Sequence, residues 1–257
     1  MDLSPAFLLE FANRIGAAAQ NVMEVARFGG LETDEVPSPF EVTYEHRTYR
    51  LRRYFPDLVP TTKRQRLARP PVVLVPPMML SADVYDVAPA ISAVAHLAAA
   101  GIDPWVVDFG APENEEGGLE RTLTDHVLAV SDAVDRVREQ TGRDEHLGGY
   151  SQGGMFCYQA AAYRRSVGLT SVVTFGSPAD TSGMVPFGIP EDVAGRVLGL
   201  VADNLQLWGL PSWASSLGFK LMDPLKSLRS RIDFVTQLHD RDALLPRERQ
   251  RRFLMGD

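Results

Sequence analysis

Hydrophobic residues near the start of the chain recur at helical spacing. One stripe, with members three or four residues apart, is formed by Phe7, Phe11, Ile15, Ala18, Val22 and Val25. This spacing predicts an amphipathic helix over residues 3–28, which Gly29 and Gly30 end. Its polar side carries Glu10 and Glu24 and lacks the basic bias of a membrane-binding helix. We therefore expect the stripe to pack on protein.

Later segments alternate between strand and helix patterns. Residues 40–55 alternate apolar and polar positions, which predicts two strands of a hairpin. Short apolar runs at 72–75, 104–110 and 171–178 predict buried strands, and a further strand leads into Ser151. Helical patterns occupy residues 90–100, 122–142 and 153–165, and Thr122 with Asp125 forms a candidate capping box. This rhythm predicts an α/β fold with a parallel sheet covered on both faces.

The rhythm stops after Pro178, and the rest of the chain is helical or loop-like. We expect three parts: an N-terminal amphipathic helix at 1–30, an α/β core at 40–183 and a helical lid at 184–257. The lid carries bulky apolar side chains that suit an acyl chain as well as they suit core packing: Trp208, Trp213, Phe219 and Met222.

Composition and charge restrict the function classes. A net charge of −7 argues against general nucleic-acid binding, although residues 247–252 form a local basic cluster. The single cysteine, Cys157, excludes an internal disulfide and a multi-cysteine metal site, and fits a cytoplasmic location. No apolar run is long enough for a membrane span, and we expect no signal peptide, no metal and no cofactor.

The candidate chemistry lies in the stretch LGGYSQGGMFCY, which contains a G-x-S-x-G pattern at residues 149–153. This pattern places a serine nucleophile on a sharp turn when a strand precedes it and a helix follows. Gly149 and Gly153 would let backbone segments pass closely, and Gly154 would let the helix pack tightly on the sheet. The alternative is a glycine-rich turn in which Ser151 only caps a helix.

Acyl chemistry also requires two N–H donors for an oxyanion. The N–H of Gln152 is one candidate. In the sequence VPPMML, Pro76 and Pro77 have no N–H, so Met78 offers the earliest donor after that strand. Asp108 lies at the end of its strand, on the edge of the sheet where ligands bind in such folds, but we expect it to hydrogen-bond the backbone of a neighbouring loop instead. We expect Cys157 in the core.

Several of these segments together resemble one family. VVLVPPMML, GIDPWVVDFGAPE, LGGYSQGGMFCYQAAAYR and VVTFGSPAD resemble, in order and spacing, the poly(3-hydroxyalkanoate) synthases of the α/β-hydrolase superfamily. That family polymerises hydroxyacyl-CoA thioesters with a cysteine in the elbow, where this chain has Ser151. The stretch also resembles the hydrolase-like N-terminal region of some actinobacterial fatty-acyl-CoA synthetase fusions. The resemblance implies an acyl ester or thioester hydrolase or an acyltransferase, with acyl-CoA as a candidate substrate.

A general acid and base are harder to find. In α/β-hydrolases they follow the nucleophile on loops after later strands, yet the only later histidine, His239, lies at a polar helix end. His126 is the one earlier histidine placed near the sheet's carboxyl edge. We therefore expect an α/β-hydrolase core that stops after its nucleophile half, with weak turnover and an exposed sheet edge through which copies associate. The competing hypothesis is an inactive fragment or a binding or assembly module.

Overall fold

The computed structural model describes most of the chain up to residue 179 and a few positions beyond it. The described residues are 5–28, 31, 36–58, 69–78, 80–112, 115–179, 192–193, 195–196, 233, 236–246 and 248. They fall into two compact units, one formed by Met1–Glu32 with Asp180–Pro246 and the other by Thr33–Ala179 with Arg247–Asp257. The predicted acyl-binding residues Trp208, Trp213, Phe219 and Met222 lie outside the described residues.

A six-stranded mixed sheet forms the centre of the second unit. Its strands, in chain order, are β1 (Phe40–His46), β2 (Tyr49–Tyr54), β3 (Pro71–Val75), β4 (Asp103–Asp108), β5 (Glu145–Tyr150) and β6 (Leu169–Phe175). Their order in the sheet is β1-β2-β4-β3-β5-β6. The hairpin of β1 and β2 pairs antiparallel with β4, and all later pairings are parallel. The predicted hairpin and parallel sheet are both confirmed.

Three helices connect the parallel strands: α2 (Ala93–Ala99), α3 (Leu123–Thr141) and α4 (Gln152–Tyr163). A reciprocal capping box between Thr122 and Asp125 begins α3, as the sequence predicts. Gly142 ends this helix in the left-handed region, at φ 69°, where a residue without Cβ is not strained. Local sequence therefore sets both ends of the longest helix in this unit.

The middle of the sheet is buried on both faces. Alternate residues of β3 and β4 contribute to two separate core clusters, as the pleat of a strand requires. One cluster includes Val73, Val75 and Trp105 together with side chains of α3 and α4. The other includes Leu74 and Val106 together with Val94 of α2. The prediction of central strands covered on both faces is thus confirmed.

Strand β6 differs from the central strands. It pairs with β5, and its residues from 170 to 175 are all exposed, including Val172, Val173 and Phe175. Association of copies through this edge stays a prediction.

Ion pairs fasten the antiparallel strand β2 to β4. Arg53 donates two hydrogen bonds to Asp103, at 2.7 and 3.2 Å, and stacks over Trp105. Arg52 reaches Asp108 at 2.7 and 3.0 Å. Both carboxylates are buried, where charges need such partners.

In the other unit, α1 (Pro5–Phe28) confirms the predicted N-terminal helix. Asn21 donates to the backbone oxygen of Leu238 at 2.9 Å, and Glu24 pairs with Arg241 at 2.6 Å. The expectation that the apolar stripe packs on protein is wrong for most of its members. Phe7, Phe11, Ile15 and Val22 are all exposed. None of the described helices is long and apolar enough to cross a membrane.

Glu145, at the start of β5, is an acidic residue that is buried in the core. The residue is fully buried, and neither carboxyl oxygen has a hydrogen-bond partner among the described residues. Burial raises the pKa of this carboxyl from 4.5 to about 8, although Arg164 and Arg138 oppose the rise.

We predict that Glu145→Gln reduces the pH dependence of stability. The folded state binds this proton more tightly than the unfolded state, so the contribution of Glu145 to stability is fully present below about pH 4.5 and is lost as pH rises to about 8. The loss approaches ~1.4 kcal/mol per pH unit in that window, and the amide removes it. Urea unfolding between about pH 5 and about pH 9 measures the effect. Glu139→Gln, at an exposed position of α3, is the control, and parallel wild-type and Glu145→Gln profiles would contradict the prediction.

Candidate active site

Ser151 lies at the sharp turn between β5 and α4. Its backbone has φ 52° and ψ −122°, a conformation that costs energy in a residue with a Cβ and occurs at nucleophile elbows. The Ser151 N–H donates to the carbonyl oxygen of Phe175 at 2.8 Å. Its side chain makes no capping hydrogen bond to α4. Ser151 thus occupies the N-cap position of α4 without a capping side-chain hydrogen bond, and its role as a nucleophile stays a prediction.

The glycines around Ser151 are required by close approach of backbone. A Cβ on Gly149 would overlap the backbone of Gly153 and Gly154, and a Cβ on Gly153 would overlap the carbonyl oxygen of Val75. A Cβ on Gly154 would overlap the side chain of Ser177. The first two contacts agree with the expected tight passage of backbone. The third lies just after β6, so Gly154 accommodates a loop side chain.

A tyrosine that sequence reasoning missed supports the residue before Ser151. The hydroxyl of Tyr85 donates to the carbonyl oxygen of Val75 at 2.7 Å and accepts from the N–H of Tyr150 at 3.1 Å. Burial raises the pKa of this phenol, so it stays protonated and can donate. No sequence motif marks Tyr85, because its role depends on contacts formed by folding.

The two residues proposed as oxyanion donors lie together. The N–H of Met78 donates to the side-chain oxygen Oε1 of Gln152 at 3.2 Å. The Met78 donor is therefore already paired in this structure, by the residue that follows the nucleophile. The roles of both N–H groups toward a substrate stay predictions.

His126 is buried in an aromatic environment. Its Nδ1 lies 2.8 Å from the carbonyl oxygen of Thr122, so Nδ1 carries the proton and Nε2 is an acceptor. The ring stacks on Phe156 and meets Phe109 edge-on, and Nε2 has no partner among the described residues. Burial lowers the pKa of His126, which favours the neutral ring. His126 makes no hydrogen bond to Ser151 here.

The remaining candidates take structural positions. His239 lies half-buried in a turn before the helical residues 241–246, in the other unit. Cys157 is fully buried in the core, as predicted, and burial raises the pKa of its thiol. Asp108 accepts from the N–H of Gly110 at 2.9 Å, as expected. Its pairing with Arg52 was not foreseen.

A cavity of about 370 Å³ lies beside the turn between β1 and β2. Its lining mixes the side chains of Arg47, Arg50 and Arg121 with those of Glu115 and Glu116. Arg50 and Glu115 pair with each other at 2.9 Å. Nowhere in the described ranges do three metal-ligating side chains converge.

No protein-family model matches the chain. Over 221 residues it is 27% identical to the poly(3-hydroxyalkanoate) polymerase subunit PhaC of Haloferax mediterranei, a match that covers 85% of this chain and 42% of that protein. The chain has an α/β fold and is similar to this polymerase subunit. It spans less than half of that relative's length.

Similar solved structures include two lipases. A monoacylglycerol lipase of Paleococcus ferrophilus is 23% identical, with a TM-score of 0.36 over 51% of this chain and 48% of the lipase. Lipase BlEst2 of Bacillus licheniformis, in its mature form, is 20% identical, with a TM-score of 0.35 over 43% of this chain and 42% of the lipase.

The contact between Gly153 and β3 generates a stability prediction. We expect Gly153→Ala to lower the free energy of unfolding by about 1–3 kcal/mol, because the added methyl group forces α4 away from Val75. Gly16→Ala is the matched control. Gly16 lies inside α1 with nothing within 4 Å of an added Cβ, so the same change should stabilise by about 0.5–1 kcal/mol. Chemical denaturation measures the free energy of unfolding of both variants. Equal changes in the two variants would contradict the argument from close contact.

Proposed function

We propose that this protein catalyses acyl transfer from an ester or thioester, with Ser151 as the nucleophile. The acceptor is water in a hydrolase or an alcohol in an acyltransferase. Such chemistry needs no cofactor, and acyl-CoA enters as a substrate. The similarity to a poly(3-hydroxyalkanoate) polymerase subunit supports hydroxyacyl thioesters as one substrate class.

The conformation of Ser151 carries the proposal. A serine at φ 52° is held there only when its surroundings compensate for the strain. The compensation comes from glycine contacts on the far side of the turn and from the hydrogen bond to Phe175. A plain strand-to-helix connection needs none of these features, whereas a nucleophile that must project from the sheet edge needs all of them.

Serine in place of the family's cysteine favours hydrolysis or transfer over polymerisation. A serine hydroxyl is a weak nucleophile unless an adjacent base takes its proton, whereas a cysteine already has some thiolate near neutral pH. No imidazole among the described residues hydrogen-bonds Ser151. This observation supports the second candidate function, a non-catalytic binding or assembly module, and underlies our expectation of weak turnover.

The substrate class rests on sequence. Trp208, Trp213, Phe219 and Met222 would supply an apolar surface for an acyl chain. A cytoplasmic location and association of copies through β6 belong to the same proposal. The single cysteine and the exposed residues of that strand support them.

We predict covalent labelling of the wild-type protein by a fluorophosphonate probe, and its complete loss in Ser151→Ala. The probe reacts with an activated serine and not with ordinary hydroxyls. Ser166→Ala is the matched control, because Ser166 also has a positive φ of 61° but lies exposed in the turn after α4. Intact-protein mass spectrometry gives the stoichiometry. An unlabelled wild type would favour the binding module.

A second prediction concerns the acyl group. Turnover of p-nitrophenyl esters and acyl-CoA thioesters should change with chain length, since a longer chain buries more apolar surface, at about 0.8 kcal/mol per CH₂. Steady-state kinetics over a series of chain lengths measures this dependence. Equal rates for all lengths would argue against an acyl site.

A further inference from the structure

The pairing between β3 and β5 ends just before the catalytic turn. The last matched residues of these two strands are Val75 and Gly149. The next two residues of β3's chain are Pro76 and Pro77, which have no N–H and cannot continue a ladder as donors. The backbone of β5 runs on to Tyr150, beyond the last residue that is matched with β3, and its N–H requires an acceptor.

The hydroxyl of Tyr85 occupies this place. It accepts from the Tyr150 N–H at 3.1 Å and donates to the Val75 carbonyl oxygen at 2.7 Å. One hydroxyl therefore links the last residue of β3 to the residue before the nucleophile. Tyr85 is 7% exposed and packs in the core cluster with Leu74 and Val106. This packing holds the hydroxyl in place.

The two segments that this hydroxyl joins bear the proposed catalytic groups. Val75 leads through the prolines to Met78, a proposed oxyanion donor. Tyr150 precedes Ser151, whose own N–H is held from the opposite side by Phe175. We infer that Tyr85 is a positioning residue that fixes the oxyanion loop relative to Ser151, an inference that rests on the proposed function of Ser151.

A positioning role and a purely structural role of Tyr85 lead to different expectations for the variant that lacks the hydroxyl. Loss of the hydroxyl removes a hydrogen bond from the Val75 carbonyl oxygen and one from the Tyr150 N–H, beyond the last matched pair of β3 and β5. The ring and its packing stay in Tyr85→Phe, so most of the core is unchanged. Catalytic geometry is far more sensitive than folding to a displacement of about 1 Å. The effect should therefore appear in the chemical step more than in stability or binding.

The test compares Tyr85→Phe with Tyr49→Phe. Tyr49 is also buried, at 2% exposure, and its hydroxyl donates to Asp132 at 2.8 Å, so both variants lose one hydrogen-bonded phenol oxygen. Three measurements are made on each full-length protein. They are the melting temperature, the exchange rate of the Tyr150 amide by NMR, and the rate and half-saturation of fluorophosphonate labelling.

We expect Tyr85→Phe to speed exchange of the Tyr150 amide on the order of 10-fold, as loss of one hydrogen bond allows. The maximal labelling rate should fall about 10-fold or more, with the half-saturating probe concentration unchanged. The two variants should lower the melting temperature by similar amounts. Tyr49→Phe should change neither the exchange rate of the Tyr150 amide nor the labelling rate.

Each other outcome overturns the inference in a recognisable way. Unchanged amide exchange means that the hydroxyl does not hold Tyr150. Faster exchange with unchanged labelling means that the bond exists but does not position the nucleophile. Equal loss of labelling in both variants means general destabilisation. If the wild type is not labelled, the proposed function of Ser151 fails, and the role of Tyr85 in positioning fails with it, whereas amide exchange still reports whether the bond forms.

Discussion

Two backbone segments meet at the elbow more closely than any residue with a Cβ permits. The first turn of α4 lies against the end of β3, with Gly153 at the carbonyl oxygen of Val75. Because of this approach, the chain must reverse within one residue, and Ser151 takes the positive φ. The same approach brings the loop after β3 to the start of α4, where Met78 contacts Gln152 and its N–H is a candidate oxyanion donor. The glycine pattern is thus a packing requirement that also creates a site.

Buried polar groups of this unit differ in whether they find a partner. Tyr85 uses its hydroxyl as both donor and acceptor at the elbow. Glu145 and the Nε2 atom of His126, by contrast, are buried without partners among the described residues. Burial raises the pKa of Glu145 and lowers the pKa of His126, and both shifts favour the neutral form of the side chain. A neutral imidazole tied to Thr122 and held between two phenylalanine rings acts as a core side chain in this structure.

Much of the second unit could be predicted from sequence because its signals are local. The apolar runs of β3 and β4, the capping box at Thr122 and the glycine pattern around Ser151 can each be read within a few residues of sequence. The missed features depend on partners far apart in the chain. Tyr85 meets Tyr150, and Arg52 meets Asp108, across separations of 65 and 56 residues. No periodicity records such pairings. The expectation that the stripe of α1 packs on protein was wrong for a related reason. A sequence pattern shows that a helix face is apolar but does not show what covers that face.

The contact between Gln152 and Met78 constrains how a substrate could enter the proposed oxyanion hole. The Met78 N–H already donates to an amide carbonyl oxygen at 3.2 Å, and a substrate carbonyl oxygen is an acceptor of the same kind. Replacing one carbonyl oxygen with the other therefore changes the hydrogen-bond count little in the ground state. A developing oxyanion is different, because hydrogen bonds to a charged acceptor are roughly twice as strong. The exchange would thus favour the transition state over bound substrate, which is the condition for catalysis. The side chain of Gln152 meanwhile satisfies the Met78 N–H in a partly buried site.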